Sequence, residues 1–234
     1  TDGVRGRAGD GVLTPEGARQ IGLAFARVLP GASPRVALAR DTRESGHWLR
    51  DALVAGLTAQ GADVEDLGVL PTPALSSWLA ERAEADAGVM VTASHNPWQD
   101  NGIKLLGPDG RKASDALQDA CEQALAEGAP AVAAEGVVVD LSAEALAWYR
   151  ASLVAGREGS LTGRLLVADD AAGAAWQVLT PVLEACGATV IPFAPEPDGR
   201  NINDGIGAVH PGKAGELAAA RGAWGGVVVD GDAD

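Results

Sequence analysis

Two short runs of the chain bring together residues able to do chemistry. The first is Thr92-Ala93-Ser94-His95-Asn96-Pro97, followed closely by Asn101-Gly102-Ile103-Lys104. A serine just past a buried strand sits where α/β folds expose reacting groups, outside the carboxyl ends of parallel strands. His95 and Lys104 are both near enough in sequence to serve it. The same residues also read as plain turn chemistry, because Pro97 pushes Asn96 towards an extended conformation and the Ser94 hydroxyl can bond to neighbouring backbone. On residue types alone, turn and reactive site stay open.

The second run is Asp230-Gly231-Asp232-Ala233-Asp234, three carboxylates at alternating positions directly after Val227-Val228-Val229. That spacing lets them converge on one hard cation such as Mg²⁺. A solvated acidic loop would have the same composition, but three alternating acids raise one another's pKa unless a cation balances them, which favours a metal site. An EF-hand loop also opens with alternating acids, yet it follows a helix, whereas a strand precedes this one. A hydroxyl nucleophile, a Mg²⁺ site and nearby Lys and Arg groups together point to phosphate chemistry. Between Ser94 and Lys112, the cations Lys104, Arg111 and Lys112 face Asp100 and Asp109, a surplus of one positive charge. So small a surplus implies that the acidic loop needs its cation before a phosphate-bearing anion is welcome, hence strict metal dependence.

The elements that must position these groups read as alternating strands and helices. Thr14 and Pro15 mark the start of a helix over residues 15–29. A strand over 35–40, a helix opened by Ser45 and running to about 60, a strand over 62–69 and a helix over 74–82 follow. Strands over 88–92 and 103–106 and a helix from Ser114 to about 127 complete the first half. The stretch 128–136 is rich in Ala and Gly and lacks either period, which puts a domain boundary there or slightly later. A second cycle follows: helix 143–155, strand 164–168, helix 174–186, strand 188–193, helix 214–220 and strand 226–229. The expectation is an α/β protein of two consecutive domains, 1–145 and 146–234, with mixed, largely parallel sheets covered by helices. The last strand has no covering element after it and Thr1 opens the chain abruptly, so the chain reads as a fragment.

Composition narrows the partners. The 234 residues are 47% hydrophobic and 21% charged, the profile of a folded chain, and the net charge of −14 disfavours nucleic acid and anionic membrane surfaces. No apolar stretch approaches the roughly 20 residues of a membrane span and no basic-then-apolar leader is seen, so the expected location is cytoplasmic. Cys121 and Cys186 have no companion at metal-ligand spacing and read as reduced core thiols. His47 and His210 stand alone and are assigned no role, and Arg40, Asp41, Thr42 and Arg43 read chiefly as a local structural network. Of the six tryptophans, Trp48, Trp78, Trp148, Trp176 and Trp224 are expected in core or interface, and only Trp98, inside the serine loop, is placed to shape the site.

Three motifs in order, Thr1-Asp2-Gly3-Val4-Arg5-Gly6, Ala93-Ser94-His95-Asn96-Pro97 with Asn101-Gly102-Ile103-Lys104, and Asp230-Gly231-Asp232-Ala233-Asp234, resemble the α-D-phosphohexomutase superfamily. The opening motif, with Asn201-Ile202-Asn203 ahead of Gly207-Ala208-Val209-His210-Pro211, is most similar to the bacterial phosphoglucosamine mutases. Ala208-Val209 replaces an expected Ser-Thr, and Asp170-Ala171-Ala172-Gly173-Ala174 replaces a Cys-Ala-Asn-Gly-Ala type segment, so phosphomannomutase and phosphoglucomutase stay as alternatives. The resemblance implies four domains, of which these are the first two. It implies that Ser94 is phosphorylated and passes its phosphoryl group to a sugar monophosphate. Asp230, Asp232 and Asp234 would hold one Mg²⁺ with a phosphoserine oxygen at Ser94. Lys104 and Arg5 would surround the transferring group, with Lys104, or else His95, handling the hydroxyl proton. The implied partners are a hexose or hexosamine monophosphate and its 1,6-bisphosphate, with no nucleic acid and no membrane, and a homodimer is compatible with it. Rival readings are a non-catalytic phosphoserine relative and a Mg²⁺-dependent phosphatase.

Overall fold

The computed structural model describes residues 3–82, 84–128 and 135–234. In chain order its elements are β1 (Val4–Arg7), α1 (Pro15–Val28), β2 (Arg35–Arg40), α2 (Ser45–Ala59), β3 (Asp63–Val69), α3 (Thr72–Arg82), β4 (Ala87–Val91), β5 (Asp100–Leu106), α4 (Asp115–Glu127), β6 (Val138–Asp140), α5 (Ser142–Val154), β7 (Leu165–Asp169), α6 (Leu179–Ala185), β8 (Thr189–Pro192), α7 (Gly212–Ala220) and β9 (Gly225–Val228). Thr14 caps α1 by accepting from Gly17 N at 3.1 Å, and Pro15 occupies the first turn, where a missing N–H leaves no bond unmade. Ser114 caps α4 in the same way, accepting from Leu117 N.

Short apolar runs with a covering helix on each side make parallel strands. The first sheet has the order β1-β5-β4-β2-β3-β6, with β4, β2, β3 and β6 parallel and β5 and β1 antiparallel to their neighbours. Every residue of β4 is buried. Val36, Leu38, Val89 and Val91 face Phe25, Leu49, Leu53 and Leu57 of α1 and α2. Ala37, Ala39 and Met90 face the other way, towards Leu75, Trp78 and Leu79 of α3 and Tyr149 of α5. The second sheet, β8-β7-β9, is parallel throughout, and its smaller core centres on Val167, Ala214 and Ala218.

Several local expectations are corrected. Ser45 does not cap α2; its hydroxyl instead accepts from the buried Asn101 Nδ2 at 2.8 Å, and no side chain caps that helix. β5 begins at Asp100 because its first residues pair with β1. β6, unexpected from the sequence, extends the first sheet beside β3, and α5 packs back on β3. α6 is only seven residues long, since Ala171 and Ala172 adopt positive φ and residues 170–178 form turns. Trp224 is 63% exposed, with Arg164 stacked on its ring, and belongs to no core. The Ala/Gly-rich boundary expected at 128–136 lies mostly outside the described residues. Both cysteines are buried and unpaired, and burial pushes the Cys121 thiol up to about 11. Among the described residues no helix is long and apolar enough to cross a membrane.

Candidate active site

The serine loop leaves the carboxyl end of β4, one of the two central strands of the first sheet, and returns as β5. The acidic loop leaves the carboxyl end of β9 in the second sheet. The two meet at one hydrogen bond: Ser94 Oγ donates to Asp230 Oδ2 at 2.5 Å. Ser94 is 6% exposed and held at φ +53°, a left-handed conformation that costs a non-glycine residue free energy.

Arg43 explains how that strain is borne. Its guanidinium is fully buried and uses all five of its N–H groups. Nε donates to Asp41 Oδ2 at 2.8 Å, one terminal nitrogen to Pro97 O and, at 3.0 Å, Asp100 O, and the other to Ser94 O at 2.7 Å and Asn96 O at 2.8 Å. Asp41 accepts in turn from Thr92 Oγ1 at 2.8 Å, whose oxygen accepts from Ser94 N at 2.9 Å. The loop is thus fixed from the strand side through Thr92 and from below through Arg43. The expected local network of Asp41 and Arg43 is real, but it reaches across to the serine loop, which residue spacing alone did not disclose.

Asp230, Asp232 and Asp234 each offer one carboxylate oxygen within 4.8 Å of the others. Asp232 is fully buried; its Oδ2 accepts from Lys104 Nζ and Thr72 Oγ1, both at 2.7 Å. Lys104 also reaches Asp234 Oδ2 at 3.2 Å. Burial lowers the Lys104 pKa, but Asp232 and Asp234 more than offset this, leaving it above the usual lysine value. Burial, together with Asp232 and Asp234, raises Asp230 above the ordinary carboxylate range against the opposing bond from Ser94. Asp230 Oδ1 and Asp232 Oδ1 are buried without a hydrogen-bond partner. Orphaned anionic oxygens converging within ligand distance of one another fit a hard divalent cation. Gly231, between them, has no room for a side chain: a Cβ there would lie 2.6 Å from Ser94 O.

Arg5 is exposed on β1 opposite Gly102 and lines a cavity of about 710 Å³ whose polar end also carries Lys104, Thr72 and Asp234. The rest of that cavity is lined by Ile21, Leu105 and Leu125 together with Ser76, Lys112, Gln118 and Glu122. His95 is exposed and lies outside the hydrogen-bonded cluster of Ser94, Asp230, Asp232 and Lys104. Trp98 stacks under Arg200 with the guanidinium carbon 5.1 Å from the ring centroid. Thr72 escaped the sequence reading because it lies far from both motifs in the chain, and Asn203, whose amide donates to Ser94 O, was quoted there only for the resemblance, with no role.

Residues 1–131 match the family model for phosphoglucomutase/phosphomannomutase, alpha/beta/alpha domain I, and the chain belongs to that family. Its whole length aligns with the phosphoglucosamine mutase of Cereibacter sphaeroides at 44% identity over 242 residues, covering 54% of that protein. The phosphoglucosamine mutase of Kineococcus radiotolerans is 45% identical over 247 residues, again with 54% of its length covered. The chain therefore spans about half the length of the curated relatives it matches. Among solved structures, a phosphoglucomutase/phosphomannomutase family protein from Burkholderia thailandensis superposes with a TM-score of 0.83 at 29% identity over 99% of this chain and 52% of that one.

Proposed function

We propose that this chain forms the phosphoserine and metal-binding half of a phosphosugar mutase that interconverts glucosamine 6-phosphate and glucosamine 1-phosphate through a 1,6-bisphosphate. The observation that carries the reading is the contact between Ser94 Oγ and Asp230 beside two orphaned carboxylate oxygens and Lys104. The aminosugar assignment rests on the phosphoglucosamine mutases to which the chain is similar. We divide the chain into units 1–145 and 146–234, with α5 running across the junction.

In the first half-reaction the bond from phosphorus to Ser94 Oγ breaks, a new one forms to a sugar hydroxyl oxygen, and the hydroxyl proton ends on the departing Ser94 Oγ, relayed through Lys104 or else His95. In the second, the bond from phosphorus to the other sugar oxygen breaks, that phosphoryl group bonds to Ser94 Oγ, and the serine proton passes to the released sugar oxygen. Phosphoryl transfer runs through a loose transition state and asks the protein mainly for alignment and charge stabilisation. Arg43, Asp41 and Thr92 supply alignment of the serine; Arg5 and protonated Lys104 supply positive charge at the polar end of the cavity. Asp230, Asp232 and Asp234 would hold Mg²⁺, which neutralises charge on the transferring oxygens when bound.

The test is intact mass spectrometry of the full-length protein, wild type against Ser94→Ala, before and after glucosamine 6-phosphate and Mg²⁺. A phosphate-sized adduct on wild type alone, with glucosamine 1-phosphate formed, is expected. An adduct with turnover only of glucose or mannose phosphates moves the substrate, stoichiometric release of inorganic phosphate makes the protein a phosphatase, and neither adduct nor turnover after priming with a hexose bisphosphate leaves a non-catalytic relative.

A further inference from the structure

Asn203 concentrates two local costs in one residue. Its backbone is left-handed at φ +58°, and its amide, only 7% exposed, is oriented so that Oδ1 is buried with no hydrogen-bond partner. An unpaired buried acceptor is unfavourable by an amount comparable to a lost hydrogen bond, and such a state persists only where the surroundings fix it. The orientation is set by the other end of the amide: Nδ2 donates to Ser94 O at 2.9 Å and to Asn96 O at 3.2 Å. Turning the amide over would aim Oδ1 at those two carbonyl oxygens.

These are the same two carbonyls that Arg43 holds from the first sheet. Asn203 holds them from the second. Its own N–H donates to Ala171 O at 2.9 Å, Ala171 N donates to Asp169 Oδ1, and Asp169, fully buried, closes β7. β7 pairs directly with β9, which leads into the acidic loop. The space is filled on that side as well, since a Cβ on Gly231 would come within 2.8 Å of Asn203 Nδ2. One amide therefore ties the strained serine loop to the framework that carries the carboxylates.

We propose that Asn203 is a positioning residue for the reactive serine, its amide setting the distance between Ser94 Oγ and the acidic loop when the two sheets dock. The proposal rests on the reading of Ser94 as the phosphoryl carrier. In the full-length protein, Asn203→Gly adopts the left-handed backbone freely and deletes the amide, while Asn203→Asp keeps the shape but turns carboxylate oxygens on the two carbonyls. The expected result is a kcat per phosphorylated enzyme lowered about 10- to 100-fold in both variants, with KM for the sugar phosphate within about twofold, as for an ångström-scale misplacement. The Mg²⁺ concentration for half-maximal rate should rise with it. A normal kcat per phosphoserine in Asn203→Gly overturns the proposal, whatever the melting temperature, and so does failure of both variants to fold, which makes the residue purely structural. A wild type lacking both phosphoserine and turnover sinks the functional reading and this one with it, whereas an active wild type with unimpaired Asn203 variants removes this one alone.

Discussion

The serine loop and the acidic loop share a hydrogen bond but are held in opposite ways. Around Ser94 the electrostatics close internally: buried Arg43 faces buried Asp41, and its remaining donors are taken up by four backbone carbonyls. Around Asp232 they do not close. Among the described residues Lys104 is the one cation bonded to this group of three carboxylates, pairing with Asp232 and Asp234 but not Asp230, and two of the buried oxygens have no partner. A buried charge without compensation is costly, so the first loop is built to keep its shape without a ligand and the second is built to be completed by one. Rigid placement of Ser94 and unbalanced charge at the carboxylate cluster are thereby assigned to different sheets.

The largest effect that would break this contrast is expected at Arg43. Arg43→Met should leave Asp41 as an uncompensated buried charge and free four carbonyls, destabilising the protein by about 3–5 kcal/mol in urea unfolding. A loss under about 1 kcal/mol would show that the serine loop is not internally held. At the other loop the sign differs. Asp230→Asn keeps an acceptor for Ser94, replaces an orphaned oxygen with a donor and removes one of three repelling charges. In EDTA it should be at least as stable as wild type. Mg²⁺ at 100 times its Kd should stabilise wild type by about 2.7 kcal/mol, and this gain should vanish in Asp230→Asn. A Mg²⁺ gain that survives the substitution would place the cation elsewhere.

How far each loop was legible in the sequence follows the same line. Ser94, Lys104, Asp230, Asp232 and Asp234 belong to compact motifs, so their types and spacing singled them out, and the fold brings them together. Arg43 was visible only as a partner for Asp41, because its carbonyl acceptors lie 51 to 57 residues away and backbone acceptors leave no trace in residue type. Asn203 and Thr72 act through the same kind of long-range contact. Strands β2, β3, β4 and β5 of the first half followed from their apolar runs, whereas β1 and β6 did not, since all three residues of β6 are exposed and its pairing with β3 is a tertiary event. Ser45 misled for a related reason: a distant side chain, Asn101, claimed the hydroxyl that a helix end would otherwise have used.

A smaller effect probes the framework beneath the acidic loop. Burial, with Asp169 adding to it, lifts the Asp170 carboxyl to about 6 against the opposing bond from Ala172 N. An unfolded chain titrates it near 3.9, so the folded state binds this proton more tightly, and its contribution to stability is lost as pH rises from about 4 through 6. Asp170→Asn keeps the acceptor for Ala172 N and removes the titration. Its melting temperature relative to wild type should climb across that window and level off above it; parallel curves from pH 4 to 7.5 would remove Asp170 as the source.

The smallest effect separates two ways of joining the sheets. Arg200 makes two bonds to Glu44, at 2.9 and 2.8 Å, but the side chains are 61% and 50% exposed. Water and salt screen such a pair and side-chain entropy opposes it. Thr42 Oγ1 donates to Ala172 O at 2.7 Å with both groups buried, and Thr72 N donates to Asp232 O at 2.9 Å. If buried contacts hold the sheets together, Arg200→Ala should leave the unfolding midpoint unchanged within error at both 0.05 and 0.5 M NaCl, while Thr42→Val, which strands the Ala172 carbonyl, lowers it. A drop for Arg200→Ala that fades with salt would move the junction to the surface, and the positions of Ser94 and Asp230 would then depend on ionic strength.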